Sequence, residues 1–286
     1  MIAEPELASD TIATARERLA AAGCDPRDPA RIDAAAADIG FSRDPAAARA
    51  ALEGFAPIDV VVQPAADREK RLLIADMDST MITVECIDEL ADYAGIKPQV
   101  AAVTERAMRG ELDFAAALDA RVALLRGLPE DAIDQCLADR VRLTRGAETL
   151  VRTMRARGGF AVLVSGGFTR FAEPVAAQIG FDRVIANRLL IADGLLNGEV
   201  AKPIVDASTK EATLVALIEE LGVAPERTMA VGDGANDLPM IRRAGLGVAY
   251  RAKPVVAAAA DARIEHGGLT GLLYAQGIAR AEWVAA

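Results

Sequence analysis

Two aspartates, Asp76 and Asp78, stand one residue apart at the end of the apolar run Leu72-Leu73-Ile74-Ala75. Side chains at i and i+2 of an extended chain point the same way, so these carboxylates repel unless a cation or a shared proton makes the pairing favourable. Two later strand-like runs also end in polar, glycine-rich clusters. Ser165-Gly166-Gly167 follows FAVLV, and Gly232-Asp233-Gly234-Ala235-Asn236-Asp237 follows ERTMAV. Oxygen ligands drawn from two strand ends suit Mg²⁺, which takes a few carboxylates and completes its shell with water and phosphate. The Ser-Gly-Gly turn precedes the helix-like FTRFAEPVAAQIG, and N–H groups with a hydroxyl at a helix start form a natural phosphate cradle. DxD or GDG alone is commonly only a turn or a loop. Their recurrence at successive strand ends points to phosphoryl chemistry.

That chemistry needs a scaffold that brings the strand ends together. From residue 70, the strand-like RLLIAD, FAVLVSGG, ERTMAVGDG and LGVAY alternate with helical patterns, which predicts an α/β fold with a doubly wound parallel sheet. In such sheets the ligand crevice lies outside the carboxyl ends of the strands, where all three clusters fall. The stretch between the first two strands is far longer than one crossover needs. VECIDELADYAG, ELDFAAALDARVALLRGL and PEDAIDQCLADRV read as helices, the last starting near Pro129 and two acids. Residues 84–144 are therefore expected to form a helical insertion, with 69–83 and 145–286 forming the core. RLLIADGLLNGEV reads as a hairpin through Asp193-Gly194 and Asn197-Gly198. Residues 1–68 predict a small N-terminal helical or α/β domain. Ile12, Ala15 and Leu19 fit one helical face, Ile32, Ala35, Ala36 and Ile39 another, and PIDVVVQP spaces Ile58, Val60 and Val62 as a half-buried strand. No chemical motif lies there, so packing or oligomerisation, a homodimer included, is its expected role.

Composition removes several function classes. The chain has 286 residues, 52% of them hydrophobic, with a net charge of −10 and a pI near 4.8. No basic cluster offers a nucleic-acid surface, so the expected partner is a small molecule, and an anionic one must be held by a few locally placed cations. MIAEPELASD has no apolar core segment, and no apolar run reaches the ~20 residues of a membrane span, so no membrane role and a cytoplasmic location are expected. Cys24, Cys86 and Cys136 are too scattered for a disulfide framework or zinc cluster. The single histidine, His266, beside Gly267 and Gly268, is expected at the surface, which argues against histidine-based catalysis. Cys136 to Arg142 has thiol-phosphatase spacing but lacks the glycines of a phosphate loop, and no GxxxxGK[ST] is present.

DMDST, the Ser-Gly-Gly turn, the lysine of STKEATL and GDGANDLPM resemble the four motifs of the haloacid dehalogenase superfamily. MDSTMITVECIDELA, VSGGFT and GDGANDLPMI are similar to its phosphoserine phosphatase branch, over about residues 70–275. The resemblance implies that Asp76 is the nucleophile, forming an aspartyl-phosphate, and that Asp78 is the general acid and base. It implies Mg²⁺ held by the Asp76 side chain, the Asp78 carbonyl and Asp233, with Asp237 orienting that shell. Ser165 and the Gly166 N–H would hold phosphoryl oxygens, and Lys210, rather than Lys202 before Pro203, would sit between Asp76 and the phosphate. Glu85 would take a substrate ammonium, Arg121 its carboxylate in a bidentate grip, and Asn236 the substrate or phosphate. The helical insertion would act as a lid. The implied activity is hydrolysis of O-phosphoserine, the last step of serine biosynthesis. The alternatives are a phosphatase or phosphotransferase for another small phosphomonoester, or a serine-sensing binding protein with vestigial chemistry.

Overall fold

The computed structural model describes residues 1–285. Helix α1 (Ser9–Ala21) forms where the spacing predicts it and buries Ile12, Ala15 and Leu19. The second helical face is not a helix. Residues 30–38 make a small hairpin of β1 (Ala30–Arg31) and β2 (Ala37–Asp38). Asp33 Oδ1 accepts from the Ala35 N–H at 2.8 Å and Ile32 N–H donates to the Ala36 carbonyl, so a side chain stabilises the turn that competes with helix. A short helix, α2 (Pro45–Ala51), follows, capped by the Asp44 side chain. PIDVVVQP likewise departs from its predicted strand. It makes only isolated bridges, Asp59 to Ile2 and Val61 to Ala262. Val60 and Val62 pack with Ala15 and Leu19 while Val61 packs toward the main core, so the alternation reflects two apolar neighbours instead of one wet face.

The core sheet contains β3 (Leu72–Ala75), β4 (Phe160–Phe168), β5 (Arg183–Asn187), β8 (Thr228–Gly232), β9 (Leu246–Tyr250) and β10 (Ala262–Ile264). All pairs are parallel, in the order β10-β9-β8-β3-β4-β5. Each of the four β3 residues is fully buried, because helices cover both faces of the sheet. Leu73 and Ala75 pack with residues of α7 (Ala147–Ala156), α8 (Thr169–Ile179) and α12 (Gly271–Ala275). Leu72 and Ile74 pack with residues of α9 (Ala207–Leu221), α10 (Leu238–Arg243) and α11 (Pro254–Ala257). Burying each such large side chain contributes about 1.5–3 kcal/mol, which pins the strand and the acids after it. β6 (Leu189–Ala192) and β7 (Leu195–Val200) form the expected hairpin through Asp193 and Gly194, both at positive φ, whereas Asn197 and Gly198 are not a turn but lie inside β7, where the pairing register shifts.

Between β3 and β4 lie α3 (Cys86–Tyr93), α4 (Lys97–Met108), α5 (Phe114–Ala123) and α6 (Asp131–Arg140). The Asp113 side chain caps α5 by accepting from Ala116 N–H, and α6 starts two residues after Pro129. The Gly127 and Glu130 N–H groups donate to Leu196 and Gly194, tying this helical group to the β6–β7 hairpin. All three cysteines are buried and unpaired. Among the described residues no helix is long and apolar enough to cross a membrane.

Candidate active site

β3 is central, and its register sets Ala75 beside Leu163 of β4 and Val231 of β8. The next rung therefore places Asp76 between the Ser-Gly-Gly and Gly-Asp-Gly segments. Its N–H still bonds the Val231 carbonyl at 3.0 Å, so the ladder fixes its backbone. The chain then turns sharply, with Met81 and Ile82 N–H both donating to the Met77 carbonyl and Ser79 at φ +55°. This turn returns Asp78 to the start of α3, where Oδ1 accepts from Cys86 N–H at 2.9 Å. Its Oδ2 accepts from Ser165 Oγ at 3.3 Å, and Ser165 Oγ accepts from Gly167 N–H at 2.8 Å. A Cβ at Gly167 would stand 2.7 Å from Asp78 Oδ2, so only glycine lets β4 approach the acid this closely. A Cβ at Gly166 would stand 3.2 Å from Cζ of Phe114, the first residue of α5.

Lys210 arrives from the other face. Asp206 and Thr209 form a capping box that starts α9, and Lys210 follows in its first turn. Its fully buried ammonium donates to Asp76 Oδ1 at 2.5 Å and to Asp237 Oδ1 at 2.6 Å. Asp237 Oδ2 accepts from the N–H groups of Asp233 and Gly234 at 3.1 and 3.0 Å. Both oxygens of Asp237 are thus engaged, one by Lys210 and one by the loop that presents Asp233. Thr80 Oγ1 donates to Asp233 Oδ1 at 3.2 Å.

Four carboxylates, Asp76, Asp78, Asp233 and Asp237, therefore gather at the strand ends, and the ammonium of Lys210 pairs directly with two of them, Asp76 and Asp237. Burial and the charge of Asp237 push Asp76 well above the usual carboxylate range, with Lys210 opposing. Asp78 is pushed up to about 6 by burial and by Glu85. Asp233 is also pushed up to about 6, by burial, Asp237 and Glu85. Burial alone would lower the pKa of Lys210, but Asp76 and Asp237 raise it and keep it charged. Carboxylate oxygens of Asp76, Asp233 and Asp237 lie within 4.8 Å of one another. An oxygen-only set with this excess of negative charge fits a divalent cation.

The remaining predicted residues occupy the rim. Glu85, exposed at the start of α3, accepts from Ser79 Oγ at 2.7 Å. Arg121 is half-buried on α5, its Nε donating to the Ala117 carbonyl at 3.3 Å. Burial lowers its pKa while Asp88, Glu85 and Asp78 act against that, which sets its guanidinium in the field of the acids. Asn236 is half-buried beside Gly234, where any Cβ would collide with its side-chain oxygen. Lys202 is exposed and paired with Asp119 at 2.7 Å, so it is not the buried lysine. His266 is exposed, as expected. Cys136 is buried in α6, and burial with nearby Glu89 pushes its thiol up to about 11, as suits an unreactive core side chain. A cavity of about 750 Å³ lies elsewhere, between the N-terminal segment and α12, and none of these site residues lines it.

Two supporting residues were not foreseen. Thr80 sits inside DMDST, but nothing in the spacing says that its hydroxyl reaches Asp233. Asn187 ends β5 after the apolar Val184, Ile185 and Ala186, and it is buried. Its Nδ2 donates to the Gly166 carbonyl at 2.8 Å and the Val205 carbonyl at 3.3 Å, and its Oδ1 accepts from Val205 N–H at 2.7 Å. It thereby ties the Ser-Gly-Gly segment to the chain leading into α9. Asn187→Ala should destabilise the fold by about 2–3 kcal/mol, because buried backbone groups lose their partners; urea unfolding measures this.

Residues 70–245 match the family model described as haloacid dehalogenase-like hydrolase. A phosphoserine phosphatase of Mycobacterium tuberculosis is 47% identical over 231 residues, which is 80% of this chain and 56% of that protein. The chain thus spans just over half the length of that relative. A haloacid dehalogenase family hydrolase from Salmonella enterica serovar Typhi superposes with a TM-score of 0.83 at 30% identity, covering 94% of this chain and 95% of that one. A phosphoserine phosphatase structure holding a phospho-aspartyl intermediate analogue superposes at 0.66 with 37% identity, covering 72% of this chain and 98% of that one. The parallel sheet, the acids at its strand ends and the span of these matches agree: the chain belongs to the haloacid dehalogenase-like hydrolase family.

Proposed function

We propose that this chain is an Mg²⁺-dependent phosphatase that hydrolyses O-phosphoserine to serine and phosphate through an aspartyl-phosphate on Asp76. The observation that carries the reading is the pairing of Asp76 with Lys210 beside an Asp78 already bonded to Ser165. Attack by Asp76 on phosphorus divides one difficult hydrolysis into two easier steps. Lys210 holds the nucleophile in place and keeps positive charge where the phosphoryl oxygens gather. Asp78, with its pKa near 6, can give a proton to the departing serine oxygen and later take one from the water that cleaves the acyl phosphate. Asp76, Asp233 and the Asp78 carbonyl would hold Mg²⁺, which supplies charge neutralisation between an anionic nucleophile and an anionic ester. Ser165 and the Gly166 N–H bind phosphoryl oxygens, with Asn236 on the substrate side. Asp237 orients the Gly-Asp-Gly loop.

The substrate assignment rests on two opposite charges on one rim, the Glu85 carboxylate for an ammonium and the Arg121 guanidinium for a carboxylate. It draws support from relatives named phosphoserine phosphatase. We further assign residues 84–144 as a cap that shields the first step from water, resting partly on the approach of Phe114 to Gly166. Residues 1–68 are assigned as a separate N-terminal unit. Phosphate release from O-phosphoserine, with Mg²⁺ and with EDTA, is the direct test. Release should require the ion and return when Mg²⁺ exceeds EDTA; EDTA-resistant turnover would remove the metal from the scheme. Arg121→Ala should raise KM for O-phosphoserine by about 30-fold, the value of a charge-assisted pair of hydrogen bonds, with a smaller effect on phosphate esters that lack a carboxylate. Equal effects on both would refute the assignment of Arg121 to a substrate carboxylate.

A further inference from the structure

The cavity of about 750 Å³ between the N-terminal segment and α12 has a composition unlike the rest of the chain. Leu19, Phe41, Leu52, Val60 and Val62 form apolar walls. Four arginines, Arg27, Arg43, Arg49 and Arg68, line it against one acid, Asp38, in a chain whose net charge is −10. Local charge of the opposite sign to the whole selects an anion.

Two of these arginines are already committed. Arg68 grips Asp38 with nitrogens at 2.6 and 3.1 Å and also donates to the Ala275 carbonyl. Arg49 donates to the Val62 carbonyl at 2.9 Å. Arg27 and Arg43 are exposed and make no ion pair among the described residues, so two guanidinium groups stand at this cavity without an anion. A further polar group belongs to the same lining. Gln63 lines the cavity, its Nε2 bonded to the Ala275 carbonyl, and its Oε1 is buried without a hydrogen-bond partner. A buried acceptor left unpaired costs about 1–3 kcal/mol, which a trapped water donating both to it and to a bound carboxylate would recover. A mostly apolar cavity of this size with a few polar groups in its lining has the make-up of a small-molecule site.

We propose that this cavity binds a small amphipathic carboxylate, its apolar body against Leu19, Phe41, Leu52, Val60 and Val62 and its carboxylate at Arg27 and Arg43. Neutral apolar molecules would leave the two cations unpaired, and fully polar anions would leave the walls wet. Because Arg68, Tyr274 and Ala275 belong to the same lining as residues of the first 65 positions, the ligand would touch both parts of the chain.

The test is calorimetric titration of the full chain with octanoate and with 3-phenylpropionate, using octanol as the neutral counterpart. Trp283 is the single tryptophan, and its ring lies 4.9 Å from that of Tyr274, which supplies a fluorescence readout beside the cavity. At least one carboxylate should bind saturably. It should bind at least about tenfold less tightly to the Arg27→Ala/Arg43→Ala double variant, since two charge-assisted contacts are lost. Both positions are exposed, so the variant should fold, and its phosphatase activity should be unchanged. No binding of either acid, equal binding of octanol, or unchanged affinity in the double variant would each overturn the proposal. None of these results bears on Asp76 chemistry, so the two readings fail independently.

Discussion

Asp76→Asn should cut phosphate release from O-phosphoserine by on the order of 10⁴-fold or more while leaving the protein folded. The amide keeps the shape of the carboxylate but has no anionic oxygen to attack phosphorus. Stability should hardly change, because burial and Asp237 already disfavour the charge of Asp76, and Lys210 retains Asp237 as a partner. Thermal unfolding and a phosphate-release assay on the same preparation separate the two effects. A variant that keeps a tenth of the native rate would falsify the covalent route, since it would mean that water attacks the ester directly. Fluoroberyllate, which mimics a phosphoryl group on a carboxylate, should bind the native chain and not this variant.

Lys210→Met should show the opposite division, losing both stability and rate. The side chain is fully buried and stands between Asp76 and Asp237, so its removal leaves two carboxylates facing each other with no cation between them. Breaking a buried ion pair by deleting one partner costs about 3–5 kcal/mol. For a chain of this size that lowers Tm by roughly 10 °C. Turnover should fall by about 10²–10³-fold, the usual effect of losing one fixed charge at a developing anion. Lys202→Met is the matched control. Its ammonium is exposed and paired only with Asp119, so both stability and rate should stay near native values. A Lys210 variant that melts like the native chain would mean that Asp76 and Asp237 do not share that cation.

Much of the sheet was legible because β3, β4, β8 and β9 are buried on both faces and therefore read as continuous apolar runs. The Asp193-Gly194 hairpin was legible because a two-residue turn demands positive φ at both positions. The N-terminal region was read less well, and for a definite reason. Ile32, Ala35, Ala36 and Ile39 have helical spacing, but Asp33 closes a turn and Ile2 supplies a bridge partner to Ala36 from far away in the chain. Ile58, Val60 and Val62 have strand spacing, yet the segment meets β10 only at the single Val61–Ala262 bridge and Ile2 only at Asp59, so no ladder forms. Periodicity reports which side chains are buried, and it does not report what the backbone pairs with.

From sequence alone came the chemical inventory: acids at i and i+2 after an apolar strand, a Ser-Gly-Gly turn, a Gly-Asp-Gly loop and one lysine in a helical pattern. Those are local features, written in residue type and spacing, and they narrow the chemistry to phosphoryl transfer. The resemblance already favoured Lys210 over Lys202; only the folded chain decided that both oxygens of Asp237 are engaged by Lys210 and the loop, and that Asn187 ties the cradle to the segment before α9. Such pairings depend on strand order and on the packing of distant segments. Residues more than a hundred positions apart meet because parallel strands bring their carboxyl ends to one edge, and no local spacing encodes that distance.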